Sequence, residues 1–236
     1  MPVPPSLPPP LRPAEPRLAL PAAARVKVHE IFYSIQGEST FAGLPCVLVR
    51  LTGCQMRCVW CDTEHAFYAG TWRTVDEVLA EVARFGCPLV EVTGGEPLLQ
   101  PGAFTLLGRL CDAGYDVLVE TGGGVDIAPV DPRVRRIVDV KCPGSGEAEN
   151  NRWENLALLR PHDEVKFVVA SEADYRWARA VIAEHRLAGR CPLHLSPVHG
   201  ALPAAELAAW MLRDRLPARL ALQVHKLLWG PDARGV

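Results

Sequence analysis

Gly53-Cys54-Gln55-Met56-Arg57-Cys58-Val59-Trp60-Cys61-Asp62-Thr63 decides how the rest of the chain is read. Its cysteines are spaced C-x3-C-x2-C, and it follows residues 47–51, a short apolar run that stops at Thr52-Gly53. Thiolates on a short irregular loop can converge on one metal centre, and a four-iron cubane usually takes four cysteines. Three local cysteines leave one iron open to a ligand that is not protein. Two other readings of the loop stay open on spacing alone. One is a zinc site completed by Cys142 or His65, although zinc favours paired C-x2-C knuckles and no second pair is present. The other is that these are unligated loop cysteines.

Outward from the loop, strand and helix patterns alternate. Residues 74–85 (TVDEVLAEVARF) put Val75, Val78, Leu79 and Val82 at helical spacing. Thr74 and Glu77 fit a capping box, and Gly86 ends the segment. Residues 89–92 read as a strand ending in Thr93-Gly94-Gly95-Glu96-Pro97. A helix over 103–113 leads to a strand over 116–120 that ends in Thr121-Gly122-Gly123-Gly124. Strands follow at 137–140, before Lys141-Cys142-Pro143-Gly144, and at 165–169, with a helix over 172–184. Residues 193–195 lead into Ser196-Pro197-Val198-His199; a helix at 203–212 and a strand at 220–224 close the series.

Such alternation predicts βα units and a parallel sheet. About six strands fall short of a closed eight-stranded barrel. The expected fold is therefore α/β, a partial and open TIM-like barrel of about six parallel strands with outer helices. Ligands in these folds sit at the carboxyl ends of the strands, which gathers Thr93, Gly95, Glu120, Lys141 and Ser196 around one mouth.

Composition narrows the class. A net charge of −2 provides no field for nucleic acid or an anionic membrane. No apolar run approaches the roughly 18 residues of a membrane span. Nine of the 22 prolines fall within residues 1–21, without the apolar core of a signal peptide; residues 1–24 are expected to be a disordered tail and residues 25–236 the barrel domain. Eight cysteines without an export signal suggest a reducing, cytoplasmic compartment, where clustered thiols point to metal or redox chemistry.

Gly94-Gly95-Glu96-Pro97, one βα unit after the cysteine loop, makes the chain resemble the radical S-adenosylmethionine superfamily, with Trp60 as the aromatic before the last cysteine. The resemblance implies a [4Fe–4S] cluster on Cys54, Cys58 and Cys61, with the amino and carboxylate groups of S-adenosylmethionine on the open iron. It implies S-adenosylmethionine contacts from Val59, Trp60 and Asp62 beside the cluster, and from Gly94, Gly95 and Glu96 at the methionine end. Glu120 would accept a ribose hydroxyl. Lys141, Cys142 and Pro143, with Ser196, Pro197, Val198 and His199, would line ribose and adenine.

Three further segments resemble the 7-carboxy-7-deazaguanine synthase family of queuosine biosynthesis: Glu30-Ile31-Phe32-Tyr33-Ser34-Ile35-Gln36-Gly37-Glu38, then Val49-Arg50-Leu51-Thr52-Gly53-Cys54 with Cys61-Asp62-Thr63, and Leu222-Gln223-Val224-His225-Lys226. This resemblance implies ring contraction of 6-carboxy-5,6,7,8-tetrahydropterin to 7-carboxy-7-deazaguanine with loss of ammonia, and no catalytic group beyond the cluster and the cofactor radical. It implies Mg²⁺ on Thr63, substrate contacts from Ile35, Gln36, Gly37, Glu38, Arg50, Thr93 and His225, an electron donor such as flavodoxin or ferredoxin, and a homodimer. The residue types suit a pterin. Gln36 and Glu38 can hydrogen-bond its donor–acceptor edge, and Arg50 offers a planar fork to its carboxylate. Arg50 also lies within an apolar strand, where a charge needs a partner. The chain differs from family members that end soon after the His-Lys pair, since it runs on through Trp229 to Val236. A glycyl-radical activating enzyme shares the cysteine loop and Gly-Gly-Glu, but has no need of Gln36-Gly37-Glu38 or His225-Lys226. A non-catalytic iron–sulfur or zinc protein has no need of Gly94-Gly95-Glu96.

Overall fold

Nine strands join in one sheet among residues 24–236, the part of the chain that the computed structural model describes. The expected proline-rich tail lies almost wholly outside the described residues. In chain order the strands are β1 (Arg25–Ile35), β2 (Pro45–Leu51), β3 (Thr71–Thr74), β4 (Leu89–Gly94), β5 (Asp116–Thr121), β6 (Arg135–Asp139), β7 (Glu164–Val169), β8 (Leu193–Pro197) and β9 (Arg219–Leu220). Their order across the sheet is β3-β1-β2-β4-β5-β6-β7-β8-β9, and every pair from β2 to β9 is parallel. That is the open barrel expected: six parallel strands of working length, with the two-residue β9 at the edge.

The helices α1 (Val75–Ala83), α2 (Pro101–Asp112), α3 (Glu154–Ala157), α4 (Glu172–Glu184), α5 (Ala204–Asp214) and α6 (Val224–Trp229) complete the fold. The capping box at α1 is present in full: Thr74 accepts from the Glu77 N–H, and Glu77 reaches back to the Thr74 N–H. Side chains alternate across each strand. Val90, Val92, Val117, Val119, Val165 and Phe167 are fully or almost fully buried in the apolar core. The intervening positions carry Glu91, Thr93, Glu120 and Lys166, which line the cavity at the barrel's centre. Register sets Arg50 opposite Thr93 and Asp139 opposite Lys166, so polar groups meet across neighbouring strands.

Two parts of the architecture differ from the sequence expectation. β1 and β3 form an antiparallel flank that the pattern did not announce. A register shift in β1 between Val28 and Glu30 reverses which side chains face inward, and so erases the alternation by which a strand is recognised. The strand expected over 220–224 is confined to Arg219–Leu220, and residues 224–229 are helical. Here the Val224 N–H donates to the Gly37 carbonyl rather than to a ladder partner, and Gln223 turns to Glu38 and Asp62. The chain is thereby drawn across the barrel mouth instead of along its edge.

Candidate active site

The carboxyl ends of the strands open into a cavity of about 710 Å³, within the range of small-molecule sites. One wall is the loop after β2. Gly53 takes a φ of +103°, which suits glycine, and starts the turn. Its carbonyl accepts the Glu96 N–H at 2.7 Å, which fastens the cysteine loop to the Gly-Gly-Glu turn after β4. A Cβ on Gly95 would collide with the Gly53 carbonyl oxygen and Cys54 Cβ, so a glycine is required at this crossing. Met56 is buried beneath the loop, and the Arg57 N–H is held by Glu147 at 2.6 Å.

Cys54, Cys58 and Cys61 all line the cavity and are only partly exposed. Burial raises all three thiols, Cys58 to about 11. Backbone N–H groups of Met56 and Thr63 act in the opposite sense on Cys54 and Cys61. Thiols that burial keeps protonated, with amides already aimed at two sulfurs, fit a centre whose metal charge holds them as thiolates. Asp139 Oδ1 is a second sign of a bound group. It is buried in the cavity wall and has no hydrogen-bond partner among the described residues.

The floor and far wall are charged. Lys166, buried on β7, lies 2.6 Å from Glu38, pairs closely with Glu120, and is 3.8 Å from Asp139. Thr93 donates to the other Glu120 oxygen at 3.2 Å. Burial by itself would raise the Glu38 carboxyl, but the Lys166 ammonium outweighs it and holds Glu38 down at about 2. Glu91 has no such partner. Burial, and then the charge of Glu120, pushes it up to about 8. Its carboxyl therefore carries a proton at neutral pH while Glu38 is ionised. At the mouth, Arg50 gives its Nε to Glu30 at 2.8 Å and lies over the Phe32 ring. Its two terminal nitrogens have no partner among the described residues.

The expected site residues divide into those the cavity gathers and those it does not. Cys54, Cys58, Trp60, Cys61, Asp62, Thr63, Gly94, Gly95, Glu120, Lys141, Val198 and His199 line it, as do Ile35, Gln36, Gly37, Glu38, Arg50, Thr93 and His225. Gly37 packs so closely on the His225 ring that a Cβ there would strike Nδ1. Thr63 stands at the N-cap position of a short 3-10 turn without capping it; its hydroxyl donates to Asp62 at 2.9 Å. Val59 and Pro143 point to solvent, and Cys142 and Ser196 are buried behind the wall. Pro197 does not line the cavity either.

Two residues face differently from the sequence reading. Glu96 is buried, with one oxygen on the Leu98 N–H and the other on Thr121 and the Gly122 N–H. It ties β4 to β5 and lies outside the cavity lining, so it supports the Gly94-Gly95 turn from behind. Gln36 lines the cavity, yet its carbonyl accepts the Glu38 and Ser39 N–H groups and its amide nitrogen donates to Glu91. It braces its own loop.

Sequence reasoning missed Lys166, Glu91 and Asp139. Lys166 was findable by the argument that singled out Arg50, since residues 165–169 are an apolar strand with one lysine inside it. Gln223 and Lys226 were quoted but given no role. They tie the C-terminal segment to Glu38 at 2.7 Å and to Asp62 at 2.5 Å, across the top of the cavity.

Residues 48–143 match the Radical SAM superfamily. The chain is 55% identical over 216 residues to the 7-carboxy-7-deazaguanine synthase of Chlorobaculum tepidum, a match that covers 90% of this chain and 98% of that protein. It is 44% identical to the Koribacter versatilis protein of the same name, over 89% of this chain and all of the relative. Among solved structures, QueE from Escherichia coli superposes with a TM-score of 0.69 at 23% identity, covering 84% of this chain and 94% of that one. That likeness speaks for the fold.

Proposed function

Since the chain belongs to the 7-carboxy-7-deazaguanine synthase family of radical S-adenosylmethionine enzymes, we propose that its cavity contracts the ring of 6-carboxy-5,6,7,8-tetrahydropterin and releases ammonia. The observation that carries this reading is that one cavity holds both halves of the chemistry. The cysteine triad, Gly94 and Gly95 line it together with Arg50, Glu38, Glu120 and Thr93.

When bound, the cluster and S-adenosylmethionine supply reductive cleavage of the sulfonium and hydrogen-atom abstraction from C6 of the pterin. Cys54, Cys58 and Cys61 would hold the cluster, and Gly95, which lines the cavity beside them, would meet the methionine end. Arg50 is already oriented by Glu30 and Phe32, so its free terminal nitrogens can take the substrate carboxylate in bidentate fashion. Glu38 and Glu120, both salt-bridged to Lys166, accept from pterin N–H groups, which moves Glu120 from the ribose hydroxyl given it by the sequence reading to the substrate. His225, braced on Gly37, closes the pocket beside them. Positioning of this kind, with water excluded, is what a reactive intermediate requires.

Thr63 suits Mg²⁺ because its hydroxyl oxygen faces the cavity and caps no backbone, and Mg²⁺ takes few protein oxygens beside substrate and water. No helix among the described residues is long and apolar enough to cross a membrane. All eight cysteines are free, which suits a reducing, cytoplasmic setting. A flavodoxin or ferredoxin would deliver the electron, and a homodimer is the expected assembly.

The test is anaerobic reconstitution followed by incubation with S-adenosylmethionine, reductant, Mg²⁺ and the carboxytetrahydropterin. Mass spectrometry should find the deazaguanine and ammonia, each dependent on all components. A reconstituted enzyme that cleaves S-adenosylmethionine but leaves the pterin intact would contradict the substrate assignment.

A further inference from the structure

β7 grips the loop after β1 at two points. Glu164 accepts the Thr40 N–H at 3.0 Å and bonds its hydroxyl; His194 on β8 stands behind Glu164 at 2.7 Å. Two residues along the same strand face, Lys166 holds Glu38. Residues 38 and 40 are thus tied to residues 166 and 164. The Glu164 tie is shut away from the cavity, whereas Lys166 lines it.

Lys166 does more than anchor a loop. Its ammonium has three donors, and the groups around it are Glu38, Glu120 and Asp139, which come from the β1–β2 loop, β5 and β6. No other cation lies in hydrogen-bond contact with Glu38 or Glu120 among the described residues, since Lys141 is engaged with Asp139 at 2.8 Å. The remaining Glu38 oxygen takes Gln223, and the remaining Glu120 oxygen takes Thr93. The spacing and direction of the two cavity carboxylates therefore depend on one buried side chain.

Building on the functional reading above, we propose that Lys166 is a positioning residue for the substrate: by joining Glu38 to Glu120 it sets where the two acceptors meet the pterin N–H groups, and it acts through Glu38. A lysine that served only to stabilise the barrel would alter folding without altering how substrate binds.

The experiment uses the reconstituted enzyme and compares wild type, Lys166→Met, Lys166→Gln, Glu38→Gln and the double variant Lys166→Met/Glu38→Gln. Substrate affinity is measured by equilibrium dialysis without reductant, and KM and kcat under turnover; visible absorbance reports the cluster. Both Lys166 variants should keep the cluster and weaken affinity by at least about tenfold, the order expected for losing a charge-assisted contact. The double variant should bind within about twofold of Lys166→Met, because the two residues act as one unit. Affinity in both Lys166 variants equal to wild type overturns the proposal, and so do losses at Lys166 and Glu38 that multiply. A wild-type enzyme that neither binds nor converts the pterin overturns the functional reading, and this proposal with it.

Discussion

The two walls of the cavity are built by opposite means. The cysteine wall is eleven consecutive residues, Gly53 to Thr63, pinned through Gly53, Arg57 and Val59 while its three thiols face the opening. The charged floor takes Glu38, Glu91, Glu120, Asp139 and Lys166 from five separate segments, and most of its carboxylate oxygens are already partnered. The first wall offers three cavity-lining thiols that fit a metal centre. The second is largely satisfied by protein groups, with Asp139 Oδ1 as its buried unpartnered atom. Under the proposed function this is a division of labour: the cofactor would organise the chemistry where it binds, and the protein would organise the substrate in advance.

The largest consequence falls on the cysteine wall. Cys58→Ala should abolish iron–sulfur absorbance and all activity, because no fourth thiol is placed to replace it; Cys142 is buried behind the wall. A variant that keeps the chromophore would remove Cys58 from the ligand set. On the substrate side, Arg50→Met should leave the chromophore intact and raise KM by about ten- to a hundredfold, the range for a lost bidentate carboxylate contact. Loss of the cluster in that variant would show that the two walls are not independent.

Glu91 gives a smaller and pH-dependent effect. Burial and the charge of Glu120 push its carboxyl from the usual 4.5 up to about 8, so the folded state keeps a proton that the unfolded chain gives up. Its contribution to stability is fully present below about pH 4.5 and is lost as pH rises through 8. Glu91→Gln fixes the neutral form. It should retain catalytic efficiency within about threefold and flatten the fall in thermal midpoint between about pH 5 and 8. A large loss of turnover at neutral pH would mean that Glu91 works as an anion. The smallest effect lies far from both walls: Thr74→Ala removes the α1 cap and should cost about 1 kcal/mol in denaturant titration, with KM unchanged.

The same contrast explains what the sequence could reveal. The cysteine wall and Gly94-Gly95-Glu96 are contiguous, and their spacing carries the chemistry, so both were legible. The parallel core was legible because valine-rich strands alternate with amphipathic helices. The floor was legible only in part: Glu38 and Glu120 were named, Lys166 stood out only as one lysine inside an apolar strand, and Glu91 and Asp139 look like isolated charges until the strands pair. Gln36 and Glu96 were recognised as part of the site, but sequence cannot say which way a side chain turns; Gln36 braces its own loop and Glu96 ties β4 to β5. The bulged β1 and the turn of residues 223–226 over the mouth were hidden for a related reason. One broke the period, and the other answered to a tertiary partner, Glu38, far away in the chain.

Hydrogen exchange on the protein before and after anaerobic cluster reconstitution tests this division directly. Amides of residues 53–63 other than the pinned Gly53, Arg57 and Val59 should exchange fast in the cluster-free protein and become protected on loading, while residues 36–40, 117–120 and 164–168 should be protected equally in both. A floor that gains protection only when the cluster is present would contradict the account, because the substrate wall would then owe its order to the cofactor rather than to Lys166 and its carboxylates.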